Sequence, residues 1–102
     1  MEVNTKIYQT PNGHVEGVHT KWTGFSILIV TGTKGFLACP AIDVEACQSY
    51  DVAAAIVEST SDNPIGTLER FPDRKVTIIN DKAKSLGITK GMDVAEAFAI
   101  IA

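Results

Sequence analysis

The chain has 102 residues, a formal net charge of −3 and a hydrophobic content of 45%. That length suits one domain, and the nine basic residues are scattered, which argues against nucleic acid as a partner because phosphate neutralisation needs clustered Lys and Arg. No apolar run approaches the ~20 residues of a membrane helix, and the opening MEVNTKIYQTPNGH has no apolar signal core, so the expected compartment is the cytoplasm.

The first half reads as strands. VNTKI alternates, with Val3, Thr5 and Ile7 on one face, and Thr10 to Gly13 supply a turn. A second strand is predicted from Val15 to Trp22, with Val18, Thr20 and Trp22 sharing a face. FSILIV (Phe25 to Val30) is short, β-branched and apolar on both sides: Phe25, Ile27 and Ile29 point one way, Leu28 and Val30 the other. TGTKG then turns the chain back into a strand through Phe36 to Ala38.

Short helices enter after residue 42. Asp43 is a good N-cap for a helix from Val44 to about Tyr50. Val52 to Ser59 is predicted as a buried strand despite its alanines. Asn63-Pro64 looks like a helix start leading into IGTLERF, and Lys75 to Ile79 is extended. Asn80 caps DKAKSL, which Gly87 stops in the left-handed conformation. In the last helix Asp93 and Glu96 resemble a capping box, and Val94, Ala97, Phe98 and Ile101 form one stripe, read as core. Strands followed by mixed short elements predict an α+β fold. It is a two-layer sandwich with an N-terminal antiparallel or mixed β-sheet and short helices on one face. Residues 1–42 form the β-rich part and 43–102 the mixed part of a single domain.

Few chemistries have a sequence signal. Neither G-x-x-x-x-G-K-[ST] nor G-x-G-x-x-G occurs, and there is no G-x-S-x-G elbow. His14 and His19 are five apart, so one strand sends them to opposite faces, and no metal set is predicted. Cys39 and Cys47, the only cysteines, bracket Pro40 and Asp43 in GFLACPAIDVEAC. A reducing compartment disfavours a disulfide between them. Cys39 lies just before a helix N-terminus, the kind of place where a thiolate is favoured, while the charge of Asp43 opposes it. The default reading makes both cysteines small apolar fillers at a strand-to-helix junction, Cys47 as packing; in the alternative Cys39 and Asp43 are the candidate catalytic residues, nucleophile and orienting neighbour.

GFLACPAID, DVAAAIVES and AKSLGITKGMDVAEAF together resemble the YunC-like family, a group of small uncharacterised bacterial and archaeal proteins. The shared pattern falls on Gly35, Phe36, Cys39, Ile42 and Asp43. It continues through Ala83, Leu86, Gly87, Ile88, Gly91, Met92, Glu96 and Ala97. Where the family tends to have Gly after the Cys, this chain has Pro40, which removes an N–H and fixes φ. The resemblance implies an α+β fold with an N-terminal β region associated with tetramers, and no established reaction or cofactor. The expected function is a small oligomeric module, structural or binding an unknown small molecule, with no cofactor. The alternatives are a thiol-dependent enzyme or redox protein using Cys39, and a regulatory subunit of a larger enzyme. We assign Leu28 and Val30 to the sheet face left open for a second copy.

Overall fold

A computed structural model describes all residues, 1–102. Six strands form one sheet in chain order: β1 (Glu2–Thr10), β2 (Gly13–Trp22), β3 (Phe25–Thr31), β4 (Gly35–Ala38), β5 (Ala53–Val57) and β6 (Val76–Ile79). Three helices accompany it: α1 (Val44–Ser49), α2 (Asp81–Leu86) and α3 (Val94–Ile101). The α+β class read from the sequence is the observed one. All neighbours are antiparallel except β4 and β5. No helix is long and apolar enough to cross a membrane.

That one parallel pair accounts for the position of α1. Parallel strands need a crossover, and residues between β4 and β5 supply it through α1. The inner face of the sheet is already filled by α3 and Ala83 of α2, packed on Val30, Leu37, Ala55 and Val57. The crossover therefore runs on the outer face, where Val44 packs on Ala38, Ala54 and Ile56, so the helices lie on both faces of the sheet and not on one as expected. Strand β5 is thus covered on both sides, and all five of its residues are buried. Its alanines serve close approach: small side chains on both faces let two layers of helix reach the same strand.

Elsewhere the outer face is open. Val3, Ile7, Trp22 and Phe25 lie there exposed, and Ile27 and Ile29 are half-buried. Leu28 and Val30 are not on that face. They are 5% and 0% exposed, inside the core, which corrects their assignment as a free surface. Register explains the difference: Val30 lies between Gly17 and Leu37, both turned inward. Gly17 is itself needed, because a Cβ there would come within 3.0 Å of Leu68 and of the Tyr8 ring.

Two local expectations fail. Asn63-Pro64 starts no helix. The segment crosses the core irregularly to a single 3-10 turn at Phe71–Asp73, with Gly66 at φ +71°. Buried Arg74 holds it instead: its Nη2 donates to the Asn63 carbonyl at 2.6 Å, Nη1 to Asn63 Oδ1 at 3.0 Å, and Nε to the Glu58 carbonyl at 3.2 Å. Asp93 precedes α3 but makes no side-chain cap, because its carboxylate is bonded to the Lys75 ammonium. The predicted Asn80 cap and the left-handed Gly87, at φ +105°, are both present.

Candidate functional site

Cys39 follows the end of β4, and its N–H donates to the Leu28 carbonyl at 3.0 Å, so the strand direction still governs it. The residue is buried and belongs to the inner core. It lines a hollow of about 370 Å³ between the start of β3 (Phe25, Ser26, Leu28) and the crossing segment (Ser59, Thr60, Ser61, Pro64). No charged side chain lines this hollow. Hydroxyls and one thiol over an apolar floor suit an uncharged, partly apolar molecule better than an ion, which would lack a counter-charge.

Asp43 is not part of that hollow. Its Oδ1 accepts from the backbone N–H of Glu45 at 3.0 Å and of Ala46 at 3.2 Å, so it caps α1. It borders a separate depression of about 200 Å³ with Val44, Ile56 and Ile78. The pair proposed from sequence therefore faces two different hollows. Cys47 packs against the outer cluster, while Cys39 belongs to the inner one. No three His, Cys, Asp or Glu side chains converge as a metal set.

These positions make a direct test of Asp43. Asp43→Ala is expected to lower the unfolding free energy by about 1 kcal/mol, and Asp43→Asn by much less, since the amide oxygen can still accept those bonds. Urea denaturation measures it. Equal loss in both variants would mean that the charge, not the cap, is what the fold uses.

A second cleft was not singled out in the sequence. His19, 5% exposed, lies on the inner face opposite Asn4 of β1, and its Nε2 has no hydrogen-bond partner. A hollow of about 300 Å³ opens there, between Asn4, Thr5, His19 and Lys21 on one side and Thr67, Leu68 and Glu69 on the other. Burial, and then the Lys21 ammonium, push the His19 pKa down, against smaller opposing effects of Glu2 and Glu69. His19 is thus neutral at neutral pH. Next to it the Tyr8 hydroxyl donates to the Leu68 carbonyl and pins the crossing segment to β1. Burial, helped by Glu69, pushes the Tyr8 pKa up to about 12, which keeps it a donor. Strand parity was the available signal: His19 is in phase with Val15 and Gly17, both of which are buried.

Fold and hollows together define a small α+β module with an open apolar sheet face and two clefts beside one crossing segment. A domain of unknown function, DUF1805, matches residues 38–101. The chain belongs to that family. The matched block begins at the end of β4, so β1 to β3 lie outside it. Among solved structures, a protein of unknown function, TA1206 from Thermoplasma acidophilum, superposes with a TM-score of 0.83 at 16% identity. The match covers 99% of this chain and 94% of that one, and at such identity it bears on the fold alone. No curated protein sequence matches the chain.

Proposed function

We propose that the protein is a self-associating module, a homotetramer built through its N-terminal β region, of the YunC-like kind. The observation that carries this is the open outer face, where Val3, Ile7, Trp22 and Phe25 are exposed together on β1 to β3. Trp22 and Phe25 already meet edge to face, with ring centroids 5.6 Å apart, and offer a preformed aromatic anchor. At ~25 cal/mol per Å², burying ~400 Å² of this face contributes roughly 10 kcal/mol gross, before association entropy is subtracted. A second contact is available at β1, an edge strand whose outer backbone groups have no strand beside them. Two different self-complementary contacts, one face to face and one edge to edge, generate a dihedral tetramer. Light scattering at micromolar concentration should give about four times the 10.9 kDa chain mass, and less for a Trp22→Ser, Phe25→Ser double variant. A wild-type mass of one chain overturns the reading.

A second reading rests on the uncharged hollow at Cys39: a binding site for a neutral small molecule, with the thiol at its floor. Tethering uncharged aromatic disulfide fragments to the protein tests it. Retention at Cys39 above that at Cys47, which serves as an internal control, is the supporting result; equal or lower retention removes it. A thiol-dependent reaction would need an orienting group other than Asp43, which caps α1 and lines a different hollow.

A further inference from the structure

We propose that the cleft between the open end of the β1–β2 hairpin and Thr67–Glu69 binds a small zwitterion, an α-amino acid. The cleft's own chemistry selects that class. Its floor is His19, a buried imidazole whose Nε2 has no partner within the protein, and buried ring nitrogens are ordinarily satisfied. Its two walls carry opposite charges: Lys21 on β2, and Glu69 on the crossing segment. Asn4 and Thr67 add neutral donors and acceptors.

Each simpler ligand meets a like charge. A plain anion suited to Lys21 faces the Glu69 carboxylate, and Glu2, whose Oε2 is 3.9 Å from Lys21 Nζ, adds to the repulsion. A plain cation suited to Glu69 faces Lys21. A divalent metal would find one imidazole and one carboxylate beside an ammonium, too few ligands for a site. A molecule with carboxylate and ammonium on one carbon complements both walls at once. Its carboxylate lies toward Lys21 and its ammonium toward Glu69, with Asn4 and the Thr67 hydroxyl completing the contacts. The volume of about 300 Å³ holds an amino acid with room for a side chain, so charge and not size sets the class. The site stands apart from the outer face and from the Cys39 hollow, so it is independent of both readings above.

The test is a titration of the ¹⁵N-labelled protein with glycine, L-alanine and L-serine, with propionate and ethylamine as single-charge controls. Saturable shifts are expected at Asn4, His19, Lys21 and Thr67 to Glu69 for the amino acids, and at least tenfold weaker binding for the two controls. Lys21→Gln and Glu69→Gln replace exposed side chains, so the fold should persist, and each should weaken binding about tenfold. The proposal is overturned if none of the three amino acids saturates by ~50 mM, a concentration above any useful millimolar affinity. It is equally overturned if propionate or ethylamine binds as well, if both variants bind as the wild type does, or if the shifts fall on Ser59 to Ser61 in the Cys39 hollow.

Discussion

Asn80→Ala is expected to destabilise the protein by about 3–5 kcal/mol, a large share of what a domain of this size has. The side chain is buried at the junction of β6, α2, β5 and the α1 crossover, and all its bonding capacity is used. Its Oδ1 accepts from the N–H of Ala83 at 2.9 Å, capping α2, and from the N–H of Ala54 at 3.2 Å. Its Nδ2 donates to the Val44 carbonyl at 3.0 Å and the Val52 carbonyl at 2.8 Å. Alanine removes these bonds together and leaves buried backbone groups unpaired, where an ordinary exposed cap leaves only one or two groups to water. Asn80→Asp separates the two halves of the role. It keeps an acceptor for Ala54 and Ala83 but turns an oxygen onto the Val44 and Val52 carbonyls. That environment favours the protonated acid and raises its pKa on folding. The Asp variant should therefore be most stable at low pH and lose stability as pH rises through the raised value. Chemical denaturation of both variants at two pH values checks this. A loss in Asn80→Ala no larger than that of a simple exposed cap would show that water replaces the side chain.

Asn80 also marks how far sequence reasoning reaches. Its place before DKAKSL identified the helix cap, a local grammar of neighbours in the chain. Nothing local announced that the same side chain would reach Val44, Val52 and Ala54, because those partners come from another element 26 to 36 residues away. The same division runs through the molecule. Strands β1 to β4, the buried β5 and the three helices were legible from alternation, turn residues and caps. The irregular path after Asn63 was not, because buried Arg74 takes over the Asn63 carbonyl from farther along the chain. The candidate site divides similarly. GFLACPAID drew attention to Cys39, which does line a hollow, and to Asp43, which the fold turns to another. His19 was weighed only as a metal ligand and set aside, because its isolation shows only when β1 and the crossing segment are both in place.

The face that carries Val30 is decided by this same kind of tertiary information, and it can be tested with a single charge. Val30→Asp is expected to abolish cooperative folding at neutral pH. Val30 is fully buried among Leu37, Val57 and the α3 stripe. Losing its burial costs about 1.5–3 kcal/mol, and an unpaired carboxylate in that place costs several more, together comparable with the whole stability of a small domain. Ile7→Asp makes the same chemical change on the outer face of β1, where the native side chain is 49% exposed, and the folded chain should survive it. Circular dichroism and urea denaturation distinguish the two. Acid should partly restore the Val30 variant, because protonation removes the buried charge, while the Ile7 variant should show no such dependence. If Val30→Asp were folded and Ile7→Asp unfolded, the inner and outer faces would be exchanged, and the surface offered for self-association would be the wrong one. With the faces as described, a charge on the outer side leaves the core intact, so a change in solution mass reads the proposed self-association apart from the fold.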